Sequence, residues 1–127
     1  MTYKILIVDD SKLARMSVAK ALNGVQPQWT RIEAANAEEA VAKVKFERPD
    51  IVMVDFNMPG RDGLQLAADL RAIQPNMPLA IVSANIQDEI VARAHALGAA
   101  FLAKPLTEPA LADFLSGAQA LLRATAK

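Results

Sequence analysis

The chain has 127 residues, with 14 Lys and Arg against 14 Asp and Glu, one His and no Cys. A domain of this size buries roughly two thirds of the surface its unfolded chain exposes, enough for one core and not for two, so residues 1–127 are expected to form a single domain. The missing cysteines exclude disulfides, a thiolate nucleophile and any Cys-ligated zinc or iron–sulfur centre, and one His builds no histidine cage; metal chemistry here must be carboxylate chemistry. Balanced charge argues against direct nucleic-acid binding through a broad basic surface. The opening MTYKILIVDD enters a strand-like run at once. It has neither a secretion signal nor an apolar stretch near the ~20 residues that cross a bilayer, so no membrane insertion and a cytoplasmic location are expected.

Taken in chain order, Tyr3–Val8 is an apolar run without helical period, ended by Asp9 and Asp10, and predicts a buried strand. The Ala-rich SKLARMSVAKAL that follows predicts a helix over 11–22, with Leu13, Met16, Ser17 and Lys20 about one turn apart and Asn23-Gly24 as its stop. Thr30–Ala35 predicts a second strand, and Asn36 with Glu39 forms a capping box for the helix AEEAVAKVKFER. Ile51–Val54, then Asp55, gives a third strand running into the turn-rich FNMPGRDG and a helix over Leu64–Ile73. Leu79–Val82 is a fourth strand. Asn85 and Asp88 are expected to cap and charge a helix reaching about Leu97, with Gly98 as its stop. Ala100–Ala103 is a fifth strand, followed by Lys104-Pro105 and a last helix from about Glu108, capped by Thr107, with Leu111, Phe114, Leu115, Ala118, Leu121 and Leu122 as its apolar residues.

Five strand–helix alternations predict a parallel five-stranded sheet covered on both faces, a three-layer α/β/α sandwich. Asp9, Asp10, Asp55, Ser83 and Lys104 all fall at strand ends, so they should converge on the carboxyl edge of the sheet, where open α/β folds place ligands. Three carboxylates there repel one another unless paired. A divalent ion such as Mg²⁺ suits them and leaves positions for water and phosphate. There is no GxxxxGK[ST] phosphate loop, no GxGxxG fingerprint and no GxSxG nucleophile elbow, so a generic nucleotide-binding enzyme or hydrolase is poorly supported.

VDD at Val8–Asp10, VDFNMPGRDG at Val54–Gly63, VSA at Val82–Ala84 and FLAKPL at Phe101–Leu106, in that order, resemble the receiver domain of bacterial two-component response regulators, in particular its stand-alone, chemotaxis-regulator-like class. The resemblance spans almost the whole chain and implies a flavodoxin-like (βα)5 fold with strand order 2-1-3-4-5. It implies Asp55 as acceptor of a phosphoryl group from a histidine kinase or histidine phosphotransfer protein. It further implies Mg²⁺ held by Asp10, Asp55 and the Asn57 backbone carbonyl, with Asp9 acting through water. Ser83 and Lys104 would meet the phosphoryl group, Pro105 would set the lysine's loop, and Asn57 and Asn85 would tune hydrolysis. Ser83 and Phe101 match the switch pair, through which phosphorylation would alter a protein-binding face formed by the fourth helix, fifth strand and fifth helix. Phe101 stands where tyrosine is frequent, and Ser83 where threonine is commoner.

A domain of this kind catalyses its own phosphorylation and dephosphorylation but acts as a signalling switch, not a metabolic enzyme. Two other readings stay open: a phosphorelay intermediate, and a pseudo-receiver that works without phosphorylation. Among the other conspicuous residues, His95 has no companion ligand and is expected at a helix surface, Trp29 is expected to pack, and Arg93 with Lys127 makes no basic recognition surface.

Overall fold

The computed structural model describes residues 2–58 and 62–125. Its elements are β1 (Lys4–Val8), α1 (Lys12–Val25), β2 (Thr30–Ala34), α2 (Ala37–Glu47), β3 (Ile51–Asp55), α3 (Gly63–Ile73), β4 (Leu79–Ser83), α4 (Asp88–Ala96), β5 (Ala100–Ala103) and α5 (Glu108–Thr125). The strands form one sheet in the order β2-β1-β3-β4-β5, every neighbouring pair parallel. This is the three-layer α/β/α arrangement that the alternation of strands and helices predicts, with the flavodoxin-like strand order that the resemblance implies. Among the described residues no helix is long and apolar enough to cross a membrane.

The near-continuous apolar strands follow from burial on both faces. Successive side chains point to opposite sides, so Leu6, Val8, Val52, Val54 and Ile81 pack on one face with residues of α2, α3 and α4. Ile5, Ile7, Ile51, Met53 and Val82 pack on the other with residues of α1 and α5. Trp29 is buried in this second layer, its ring edge-on to Tyr3 at 5.2 Å between centroids, as expected of a packing residue.

Several local expectations change in the structure. Asn23-Gly24 does not stop α1; the helix runs on to Val25, where Pro27 lies ahead and the Gln26 amide still donates to the Leu22 carbonyl at 2.6 Å. A Cβ at Gly24 would lie 2.9 Å from the Glu108 carboxylate, the end of a flexible side chain at the start of α5. The Leu13, Met16, Ser17 and Lys20 stripe is the solvent face of α1, with Leu13 78 % exposed, while Val18 and Leu22 make the buried face. Leu121 of α5 is likewise exposed. At α4 the cap position is Gln87, without a side-chain cap bond; Asn85 instead accepts from the Gln87 amide at 3.3 Å in the preceding loop.

Other boundaries behave as their chemistry dictates. The Asn36 side chain accepts from the Glu39 amide at 2.9 Å, and Glu39 returns to the Ala35 amide at 3.0 Å. Thr107 accepts from the Ala110 amide, and Asp62 caps α3 through the Gln65 amide. Gly98 ends the α4 turn with φ +71°, a left-handed conformation that glycine adopts without steric cost. The centre of the predicted FNMPGRDG turn, Pro59–Arg61, and the carboxyl-terminal Lys127 lie outside the described residues.

Candidate functional site

The parallel sheet delivers the ends of β1, β3, β4 and β5 to one edge. Asp9 follows β1, Asp55 ends β3, Ser83 ends β4 and Lys104 follows β5. Carboxylate oxygens of Asp9, Asp10 and Asp55 lie within 4.8 Å of one another. Asp9 and Asp55 are buried and Asp10 is exposed, so the cluster opens to solvent on one side. The Lys104 ammonium donates to Asp55 Oδ1 at 2.8 Å and to Asp9 Oδ2 at 3.4 Å. One cation thus offsets part of the charge of two buried carboxylates.

Local hydrogen bonds hold each group. Asp9 Oδ1 accepts from the Ser11 amide at 2.9 Å, and the Asp9 amide donates to the Ala34 carbonyl, extending the β1–β2 ladder by one residue. Ser83 is fully buried and its hydroxyl oxygen accepts from the Asn85 amide at 2.9 Å. The Lys104 amide donates to the Ser83 carbonyl at 3.0 Å, tying the two strand ends together. The Lys104-Pro105 peptide is cis. Asn57 is exposed beside the Asp55 carboxylate, with its backbone amide hydrogen-bonded to it. Phe101 is half-buried against the α2–α3–α4 core layer, in register with Ile81.

Burial pushes the Asp55 carboxyl above the usual carboxylate range. The Asp9 charge adds to the rise, while the Lys104 hydrogen bond and charge and the Asn57 amide act against it. For Lys104, burial works to lower the pKa, but the hydrogen bonds and charges of Asp55 and Asp9 outweigh it and hold the ammonium above its ordinary value. The two shifts act in different pH windows. A raised carboxyl favours folding fully only below its unfolded value near 3.8, and that contribution is lost as pH rises through the folded value. The raised Lys104 contributes below about 10.5 and loses its contribution at higher, alkaline pH. In chelator, Asp55→Asn protein is therefore expected to gain stability relative to wild type as pH rises from acid to neutral. Denaturant melts across that range read the difference, and a pH-independent difference contradicts the assignment.

Gly63, inside the DG signal after the turn, has a tighter role than a turn residue. A Cβ there would lie 2.8 Å from Phe56 Cα and closer still to the Asp55 carbonyl oxygen, so α3 starts directly against the backbone that carries Asp55. Its amide donates to the Phe56 carbonyl at 2.8 Å. Gly63→Ala should cost about 1–3 kcal/mol in denaturant melts, because backbone rather than a flexible side chain must yield. An unchanged melt would show that the helix start shifts freely.

Arg15 and Glu33 also went unmarked in the sequence. Arg15 donates from one terminal nitrogen to the Asp9 carbonyl at 2.7 Å and from Nε to Glu33 Oε1 at 2.8 Å. The position of Arg15 one turn into the helix after the two aspartates was a visible signal. Its partner on β2, 18 residues away, had none before the fold was known.

Five parallel strands with acidic groups and one lysine at their carboxyl edge make an open α/β domain with a polar cluster at the edge where such folds place ligands. Residues 5–116 match the family model described as response regulator receiver domain, and the chain belongs to that family. It is 38 % identical over 117 residues to the positive alginate biosynthesis regulatory protein of Pseudomonas aeruginosa, covering 90 % of this chain and 46 % of that protein. It is 33 % identical over 106 residues to sporulation initiation phosphotransferase F of Bacillus subtilis, covering 83 % of this chain and 84 % of that protein. Among solved structures, the chemotaxis protein CheY4 of Vibrio cholerae superposes with a TM-score of 0.83 at 27 % identity, over 93 % of this chain and 99 % of that one. The chain spans about half the length of several of the curated relatives it matches.

Proposed function

We propose that residues 1–127 act as one cytoplasmic switching unit that accepts a phosphoryl group on Asp55, in a Mg²⁺-dependent reaction, from a histidine kinase or histidine phosphotransfer protein. The observation that carries this reading is the pocket itself: three carboxylates within 4.8 Å of one another, and the Lys104 ammonium 2.8 Å from one oxygen of Asp55. An all-oxygen, mostly carboxylate donor set suits a hard cation that keeps several waters, so the residues present fit Mg²⁺. Asp10, Asp55 and the Asn57 carbonyl would hold it, with Asp9 acting through water. When bound, the ion offsets the negative charge that gathers as phosphate approaches.

The chain's own groups do the rest. An Asp55 carboxylate oxygen attacks phosphorus, the phosphorus–nitrogen bond of the donor's phosphohistidine breaks, and the electron pair leaves with the imidazole, giving an aspartyl phosphate. The Lys104 ammonium is a compact charge that can move from carboxylate to phosphoryl oxygen as the latter arrives. Ser83 can donate its hydroxyl hydrogen to a second phosphoryl oxygen, because its present bond, from the Asn85 amide, uses the oxygen only as acceptor. Asn57 and Asn85 flank the pocket, where they bear on access of the hydrolytic water. Pro105 sets the path of the loop that follows Lys104.

A Ser83 drawn toward phosphate leaves room beside β4 for Phe101, already half-buried on β5, and better phosphate contacts in one state bias the α4–β5–α5 face toward it. A protein target that prefers this face then receives the signal. Beryllofluoride, an acyl-phosphate mimic, added with Mg²⁺ should shift amide resonances of α4 and β5 as well as those of the pocket; shifts confined to the surroundings of Asp55 would refute the switch. The match to a protein named as a phosphotransferase, over 84 % of its length, favours one second reading: a relay in which Asp55 passes its phosphoryl group to another histidine.

A further inference from the structure

We propose that Arg15 and Glu33 form a clamp that positions the Asp9–Asp10 segment for cation binding; this rests on the reading of the pocket as a Mg²⁺ site. Asp10 is the exposed member of the acidic cluster and belongs to no strand, so the ladder that fixes Asp55 does not reach it. Besides the Ser11 amide bond to Asp9 Oδ1, what holds it is the peptide group just before it. The Asp9 carbonyl belongs to the Asp9–Asp10 peptide plane, and the Arg15 guanidinium holds that oxygen at 2.7 Å. Turning the plane would swing the Asp10 side chain away from Asp9 and Asp55.

The guanidinium is in turn held from the side. Its Nε donates to Glu33 Oε1 at 2.8 Å, and Glu33 sits on β2 opposite Ile7 of β1. Arg15 is mostly buried, its side chain 15 % exposed, whereas Glu33 is half-exposed at 46 %. A planar fork can serve a carbonyl with one nitrogen and a carboxylate with another. A lysine's single nitrogen can bridge two adjacent acceptors, as Lys104 does, but it cannot stand at both the Nε and the terminal-nitrogen positions that these two contacts occupy. Glu33 also neutralises the guanidinium, which limits the repulsion that a bare positive charge near the pocket would exert on an incoming cation.

Positioning and simple charge predict opposite results. Without the clamp, Arg15→Ala and Arg15→Lys should both bind Mg²⁺ about tenfold more weakly, as is usual when a group that orients a metal ligand is lost. If Arg15 acted only through its charge, Arg15→Lys would match wild type and Arg15→Ala would bind Mg²⁺ at least as tightly as wild type. Calorimetric titration of Mg²⁺ into the unphosphorylated protein measures this without reference to phosphotransfer.

Glu33→Gln and Glu33→Ala lose the same charge, but only glutamine keeps an acceptor for Nε, so Glu33→Gln should bind Mg²⁺ several-fold more tightly than Glu33→Ala. Because Glu33 is half-exposed, this pair keeps the test available if the Arg15 variants do not fold. Tenfold weakening in Arg15→Lys, or a clear separation of the Glu33 pair, supports the clamp. Wild-type affinity in Arg15→Lys, or equal affinity in the Glu33 pair, overturns it. Wild-type protein that takes up no Mg²⁺ at millimolar concentration overturns the pocket reading itself, a result distinct from either.

Discussion

Asp55→Asn protein is expected to take no phosphoryl group above background from an acyl phosphate or a phosphohistidine donor, under Mg²⁺ conditions that label wild type. The amide is nearly isosteric but lacks the anionic oxygen that attacks phosphorus. Neighbouring carboxylates do not substitute for it. Asp9 is buried with Oδ1 committed to the Ser11 amide, and Asp10 is exposed away from the 2.8 Å lysine contact that would receive the transferred charge. Loss of labelling should come without loss of fold, because burial already makes ionised Asp55 unfavourable, as its raised pKa records. Labelling of Asp55→Asn at the wild-type level would move the acceptor elsewhere.

Removing Lys104 should lower stability substantially. Its side chain is 32 % exposed but faces two aspartate side chains that are only 5 % and 7 % exposed. Deleting one member of a fully buried ion pair commonly costs 3–5 kcal/mol. Because the lysine side chain is partly exposed and the cluster opens to water at Asp10, about 2 kcal/mol is expected for Lys104→Ala in chelator. Mg²⁺ should restore much of that loss, since a ligand present at a hundredfold excess over its Kd stabilises by about 2.7 kcal/mol. Paired denaturant melts, with chelator and with Mg²⁺, read both numbers. A variant as stable as wild type in chelator would mean that Asp9 and Asp55 do not need the lysine as counter-charge.

The fold was legible because its signals are local. Apolar runs ended by Asp, helix caps such as Asn36 with Glu39, and the stop at Gly98 each act within a few residues. That Asp9, Asp10, Asp55 and Lys104 would come together was legible through the same logic, since strand ends in a parallel sheet must share an edge. Failures came where tertiary context decides. Asn23-Gly24 looks like a stop, yet α1 continues to Val25, with Gly24 packed beside the start of α5. The one-turn spacing of Leu13, Met16, Ser17 and Lys20 marks the helix but not its buried face, which Val18 and Leu22 make instead. The Arg15–Glu33 contact and the close approach of Gly63 to the Asp55 backbone depend on juxtapositions that no periodicity encodes.

Whether phosphate resides on Asp55 is tested most directly by chemical trapping. Wild-type protein is phosphorylated in Mg²⁺, the acyl phosphate is reduced with borohydride, and the modified residue is located by peptide mass spectrometry. Reduction of an aspartyl phosphate yields homoserine, so the account predicts homoserine at position 55, dependent on Mg²⁺ and abolished by chelator. Homoserine at position 9 or 10, or no conversion in protein exposed to a competent donor, would contradict it.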